Sequence, residues 1–465
     1  MTEQTLVFDR ELIRRYDRQG PRYTSYPTAV QFHDGFGVKQ YLEQARCTNE
    51  AAKPAPLSLY FHIPFCATVC FYCACNKVVT KNQAHTLRYL DCLSLEIERQ
   101  GKLFDKSRKV EQLHWGGGTP TFLNQAQMQR LMDETRKNFY LSDDDEGEYS
   151  IEIDPRTVDV ARIGFLRALG FNRLSMGVQD FDPTVQKAVN RVQSEDQTLA
   201  IIHAARETGF HSVSLDLIYG LPFQSVDSFD QTLTRVAEAS PDRISVFNYA
   251  HLPHLFKTQR QIDETALPAP EEKLRIFRRA IERLTDAGYV YIGMDHFAKP
   301  LDELAVAQRE GKLSRNFQGY ATHGDCDIVG MGVSAIGRIG RSYSQNERDL
   351  EQYQVRIESG GLAVFRGVGL TGDDVLRRDV INQLICHFEL NAVDFETRYA
   401  VDFWGYFAAE WEQLTVMQED GLLKMDSQGL QVLPAGRLLI RNICMVFDHY
   451  LNNQANDKVR YSKVI

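Results

Sequence analysis

The sequence predicts an α/β fold, a partial, TIM-like barrel of six parallel βα units, carrying an N-terminal arm and a mainly helical C-terminal domain. Two observations predict it: six short β-rich runs alternate with segments of helical periodicity, and the apolar pattern changes character near residue 362. With 465 residues, 43% of them apolar, the chain is long enough for a full core and for more than one domain. The expected boundaries are 1–50 for the arm, 51–361 for the barrel and its extension, and 362–465 for the C-terminal domain.

The six runs are Leu57 to Ile63, Val110 to Trp115, Tyr149 to Ile153, Arg173 to Val178, Val213 to Ile218 and Ile244 to Tyr249. Between and after them lie helical patterns such as Leu274, Phe277, Ile281 and Leu284, which share one face while Glu271, Lys273, Arg278 and Arg283 occupy the other. Tyr289 to Gly293 reads as a further strand. In barrels of parallel strands the chemistry gathers at the C-terminal strand ends, and the loops there are informative. The first holds Cys66, Cys70, Cys73 and Cys75; the second holds Gly116-Gly117-Gly118-Thr119, where missing side chains let backbone approach a ligand. Glu152-Ile153-Asp154-Pro155-Arg156 follows the third run, Gln179-Asp180 and then Asn190-Arg191 the fourth, and Asp216 lies in the fifth. Each polar residue alone is an ordinary loop hydrogen-bonder; their joint placement at strand ends points to a site.

The cysteine spacing C-x3-C-x2-C can place three thiolates around one iron-sulfur cubane and leave its fourth iron open. A structural zinc site needs a second, separated pair of ligands, and ferredoxin-type clusters use other spacings. Nine cysteines, an odd number, behind a polar, charged opening from Met1 to Glu11 do not suggest a disulfide framework or a signal peptide. The expected setting is a reducing cytoplasm.

This loop resembles that of the radical S-adenosylmethionine enzymes, with Cys66, Cys70 and Cys73 in the positions of the 4Fe-4S ligands and Phe71 and Tyr72 where that family places a ring beside the adenine. With Cys75, and Tyr60-Phe61-His62-Ile63-Pro64-Phe65 before it, the loop is similar to that of the oxygen-independent coproporphyrinogen III oxidases; the related haem-chaperone branch usually has an aromatic residue where Cys75 stands. The likeness extends from Tyr16-Asp17-Arg18-Gln19-Gly20-Pro21-Arg22-Tyr23 to Arg437-Leu438-Leu439-Ile440-Arg441-Asn442, through Phe247-Asn248-Tyr249-Ala250-His251, Gly293-Met294-Asp295-His296 and Asn316-Phe317-Gln318-Gly319-Tyr320.

The resemblance implies a radical S-adenosylmethionine type of barrel binding one 4Fe-4S cluster and two molecules of S-adenosyl-L-methionine. The positions it implies for the two molecules together are Tyr60, Tyr72, Gly117, Gly118, Thr119, Glu152, Gln179, Arg191, Asp216, Ala250, Gln318 and Ile336. It further implies that reductive cleavage of the sulfonium yields a 5′-deoxyadenosyl radical, which takes a hydrogen from the β-carbon of a propionate; loss of carbon dioxide and of one electron leaves a vinyl group. Two such events convert coproporphyrinogen III to protoporphyrinogen IX. Cys75 and Arg22 are the candidate catalytic residues, Arg22 as a partner for a substrate carboxylate in an arm that helps to close the barrel. The expected partners are coproporphyrinogen III, an electron donor such as a flavodoxin or ferredoxin system and an unidentified electron acceptor, with the chain acting as a monomer. The alternatives are a haem-binding chaperone and another radical enzyme on the same scaffold.

Net charge of -9 argues against nucleic acid or an anionic membrane as the main partner, and no apolar run reaches the length of a membrane span. The tail, with helical patterns over Asp373 to Cys386 and Phe395 to Gln413 before a hairpin within Gly421 to Val432, has a winged-helix layout without a basic stripe, so a capping domain is expected. Gly330-Met331-Gly332-Val333-Ser334-Ala335 matches a dinucleotide fingerprint behind a short strand at Asp327, but lacks a βαβ continuation and is set aside. Twelve histidines yield no catalytic triad.

Overall fold

The computed structural model describes residues 6–452; residues 1–5 of the expected arm and 453–465 of the expected C-terminal domain lie outside the described residues. Two compact units emerge, each assembled from separated stretches: one from Phe32–Arg283 and Asp325–Gly369, the other from the described parts of Met1–Gln31, Leu284–Gly324 and Leu370–Ile465. The units cut across contiguous boundaries because pairing between distant strands and helices, not composition along the chain, decides what packs together.

In the first unit all six expected strands form: β1 (Leu57–Ile63), β2 (Lys109–Gly117), β3 (Glu148–Ile153), β4 (Arg173–Gln179), β5 (Ser212–Tyr219) and β6 (Arg243–Asn248). They pair in chain order, every pair parallel. Helices cross between them, capped where the sequence offers a cap: Asn124 and Gln127 close a reciprocal pair of bonds at Gln125–Asn138, and Ser194 accepts from Gln197 N–H at Glu195–Glu207. Strand alternation separates two environments. Tyr149, Ile151 and Ile153 of β3 are buried, as are Leu215 and Leu217 of β5, whereas the intervening Ser150, Glu152, Ser214 and Asp216 stay partly accessible. The sheet curls strongly. Five strand spacings separate β1 from β6, about 24 Å if flat, yet Thr258 beyond β6 donates to Cys73 O beyond β1 at 3.1 Å.

Beyond β1, on its other edge, β7 (Asp327–Met331) adds a seventh parallel strand, followed by the antiparallel β8 (Ile336–Ile339), β9 (Ser342–Asn346) and β10 (Val364–Gly369). This explains the fingerprint-like glycines. A side chain at Gly330 would meet Ile336 O at 2.6 Å, and one at Gly332 would meet Tyr89 Oη at 2.5 Å, so the chain itself fills the space a phosphate would need. The long helix Ala84–Gly101 buries Tyr89, Leu93 and Ile97 on one face, and with them Glu96.

The second unit contains the antiparallel pairs Val290–Gly293 with His296–Ala298 and Ser314–Asn316 with Gly319–Ala321. Its C-terminal part is mainly helical, with Gly372–His387 as the expected first helix. The expected continuous helix over Phe395 to Gln413 is broken into Ala392–Tyr399, Phe403–Tyr406 and Trp411–Glu419. Ala400 turns left-handed at φ 53°, and Glu396 accepts a bond from Phe403 N–H, which starts the next turn in a new direction. The hairpin Leu423–Asp426 with Gly429–Val432 is present and gains a third strand, Glu389–Asn391.

Candidate active site

The cysteine loop is shaped by bonds to its backbone. Phe65–Cys66 pairs with Val78–Val79, and Val78 N–H donates to Pro64 O at 2.7 Å, closing the base. Asn190 donates to Val69 O at 2.7 Å, Gln259 to Tyr72 O at 3.0 Å, and Lys77 to Cys73 O at 3.0 Å, while Phe71 N–H donates to Val189 O at 3.0 Å. Phe71 and Tyr72 pack against Val185, Val189, Leu221, Tyr249 and Ile262. The same Gln259 amide also donates to Ala250 O at 3.2 Å, so one side chain holds two of the residues implied for the cofactor.

All nine cysteines are free thiols, and those of the loop lie in distinct electrostatic settings. Cys70 Sγ accepts from both Arg156 and Arg191, each at 3.5 Å, and Asp154 holds the two guanidiniums at 2.6 and 3.1 Å. Cys73 and Cys75 are hydrogen-bonded to one another. The bond from Cys75, aided by Lys77, brings Cys73 down to about 6, and the same bond together with burial raises Cys75. Burial lifts Cys66 to about 11, although Thr119 Oγ1 lies 3.4 Å from its sulfur. Metal coordination removes such a proton outright.

The glycine loop is tight because its neighbours occupy the space of the missing side chains. A Cβ on Gly116 would lie 2.8 Å from Glu152 Oε1, one on Gly117 2.7 Å from the His62 ring, and one on Gly118 2.7 Å from Pro64 C, with Gly117 at φ 114°. Glu152 accepts from Gly117 N–H at 3.1 Å and lies 3.1 Å from His114 Nε2. Burial pushes its carboxyl upward, but these bonds and the nearby histidines outweigh it and hold the group below the ordinary range. Its side chain is nevertheless 44% accessible, so it faces a cavity and not a packed core. Tyr60 stacks on His114 with ring centroids 5.8 Å apart and lies 3.1 Å from His62 Nδ1. Asp216 bonds Ser245 and Ser175; burial first, then repulsion from Glu152, lifts it to about 6.

Several buried polar atoms along these strand ends have no partner within the protein: Gln179 Oε1, Arg191 Nε and Asn248 Oδ1. Buried polar groups are normally hydrogen-bonded, and a ligand with an ammonium group and hydroxyls would satisfy such a set. Three thiols on one clamped loop, a cradle that any Cβ would fill and unpaired polar atoms beside it fit an iron-sulfur cluster with S-adenosylmethionine.

The structure thus brings together Cys66, Cys70, Cys73, Cys75, Tyr72, Gly117, Gly118, Thr119, Glu152, Gln179, Arg191, Asp216 and Ala250 at the C-terminal ends of β1 to β6. Ile336 opens β8 beside Gly330, the register partner of Tyr60. Gln318 and Arg22 belong to the other unit, where Gln318 Nε2 is buried without a partner and Arg22 forms an ion pair with Asp295 at 2.7 Å. Sequence reasoning missed Lys77, His114, Thr258 and Gln259, single polar side chains that bond to carbonyls or rings and leave no spacing pattern.

The chain is similar along its whole length to known proteins. The model of the radical SAM superfamily matches residues 60–236, and that of the HemN C-terminal domain matches 370–439. The oxygen-independent coproporphyrinogen III oxidase of Pseudomonas aeruginosa is 54% identical over 99% of both chains, and that of Escherichia coli K12 is 52% identical over the full length of both. The solved structure of the Escherichia coli coproporphyrinogen III oxidase (HemN), described as a radical SAM enzyme, superposes with a TM-score of 0.91 at 52% identity, covering 96% of this chain and 100% of that one.

Proposed function

The chain belongs to the oxygen-independent coproporphyrinogen III oxidases of the radical S-adenosylmethionine superfamily, and from that premise we propose how its own residues serve the oxidative decarboxylation of two propionates of coproporphyrinogen III to vinyl groups. It is an oxidoreductase of porphyrin biosynthesis, and its superfamily implies a 4Fe-4S cluster and S-adenosylmethionine. When bound, that pair supplies the radical that takes hydrogen from the propionate β-carbon, carbon dioxide and one further electron leaving afterwards.

Cys66, Cys70 and Cys73 hold the cluster. Arg156 and Arg191 offset the charge of the Cys70 thiolate, and Cys75 lies beside Cys73. Glu152, kept anionic, takes the ammonium of the methionine moiety, which Gly117 and Gly118 allow close to the backbone. Gln179 and Asp216 offer oxygens to hydroxyl groups, and Tyr72 and Ala250, tied by Gln259, bound the adenine. Together with Tyr60, Thr119, Arg191, Gln318 and Ile336 these residues serve two molecules of S-adenosylmethionine, and Arg22 engages a substrate carboxylate. An electron donor of the flavodoxin or ferredoxin type, a separate acceptor, a monomeric state and a cytoplasmic setting complete the reading; among the described residues no helix is long and apolar enough to cross a membrane.

The observation that carries the proposal is the clamped cysteine loop facing the Gly117–Glu152 cradle. Anaerobic reconstitution with iron and sulfide, then incubation with coproporphyrinogen III, S-adenosylmethionine and a reductant, should release 5′-deoxyadenosine and give a product lighter by two molecules of carbon dioxide and four hydrogens. An intact cluster that forms neither would overturn it.

A further inference from the structure

Three arginines converge in the second unit. Arg22 comes from the N-terminal stretch, Arg315 from the strand Ser314–Asn316 and Arg441 from the helix Ile440–Val446. Arg315 Nε points to Arg22 O at 3.4 Å; Arg441 donates to Pro21 O at 3.0 Å and to Gly20 O. Arg22 has a carboxylate, Asp295, at 2.7 Å. Arg441 is satisfied by these carbonyls, although burial, with Arg22 and Arg315 nearby, brings it down to about 10.

Arg315 is different. It is only 9% exposed, its guanidinium lies over the Tyr320 ring at 4.7 Å, and its Nη1 has no hydrogen-bond partner. A buried guanidinium stays charged in proteins and is costly without an anion. Its planar fork matches a carboxylate, and Tyr320 fixes the plane in which that fork lies.

We infer that Arg315, backed by Arg22 and Arg441, is a carboxylate receptor, and, resting on the function proposed above, that it takes a propionate of the porphyrinogen. Arg315 is thus a binding residue that sequence reading did not single out, distinct from the residues that hold the cluster.

Fluorescence titration of the reconstituted enzyme with coproporphyrin III, the oxidised and unreactive form of the substrate, tests it. R315Q should raise the Kd for the porphyrin about 30-fold, the low end of the effect of removing one partner of a buried charge pair, and R315K should raise it less. Neither should change the affinity for S-adenosylmethionine in equilibrium dialysis. R315Q binding the porphyrin as tightly as wild type overturns the inference, as does a loss confined to S-adenosylmethionine, which would make the methionine carboxylate the occupant. Should R315Q not fold, R315K decides alone: lysine keeps the charge but not the fork, and a Kd within twofold of wild type overturns the inference. Wild type that neither binds nor decarboxylates the substrate overturns the function itself, whereas active wild type with unimpaired R315Q removes only the receptor.

Discussion

Glu96 and Glu152 sit in the same compact unit, one at the back of the sheet's antiparallel extension and one at the mouth of the parallel strands. Glu96 is fully buried and accepts bonds from Gly332 N–H, Tyr353 Oη and Asn346 Nδ2, each at 2.7 Å. Glu152 accepts from Gly117 N–H, meets His114 and leaves nearly half its side chain open to a cavity. Scaffold and site are told apart by their bonding: the scaffold completes its polar groups from within, while the site leaves capacity for a ligand.

Three substitutions put this contrast to the test. The largest effect is expected on ligand binding at the mouth. Glu152→Gln should weaken S-adenosylmethionine binding by about 300-fold or more, with a urea midpoint close to wild type; unchanged affinity in equilibrium dialysis would put Glu152 with the scaffold. At Glu96 the effects exchange places. Glu96→Ala strands three buried donors and opens a cavity, so stability should fall by about 3 kcal/mol, while iron content after reconstitution stays that of wild type. A stable E96A, or one that folds but cannot load iron, would contradict the division.

Asp216 should show the most conditional effect, present on only one side of its titration and at most as large as that at Glu96. Its folded value of about 6 lies above its ordinary 3.8, so its ionisation opposes folding. That opposition is absent below about pH 4, grows as the pH rises and levels off above about 6. In cluster-free protein, Asp216→Asn should therefore match wild type in urea at pH 4 and exceed it at pH 7.5 by up to about 3 kcal/mol, the equivalent of the shift. Equal midpoints at both values would mean that the carboxylate is well solvated in the barrel.

Much of the barrel was legible because its signals are local. β1 begins and ends where alternation and flanking residues say, and the other five strands differ by one or two residues at their ends. The glycine loop and the cysteines were legible because their chemistry needs residue types at fixed spacing. What stayed hidden depends on partners distant in sequence. The run at Asp327 gave no hint that it would lie parallel to β1, some 270 residues earlier by register with Leu57. Nothing around Gln259 signals that its amide reaches Tyr72, because a side chain bonding one carbonyl leaves no periodicity. The break at Ala400 was hidden for a related reason: alanine favours helix, and the bond that Phe403 N–H donates to Glu396 across the break leaves no pattern in the sequence.

The bonds on the carbonyls of the cysteine loop have a consequence for the protein's life with oxygen. Asn190, Gln259, Thr258 and Lys77 bond the carbonyls of Val69, Tyr72 and Cys73 with protein groups alone. None of these bonds uses a cysteine sulfur, so oxidative loss of the inorganic core removes none of them, and the backbone tethers on which a new cluster would be assembled survive the damage.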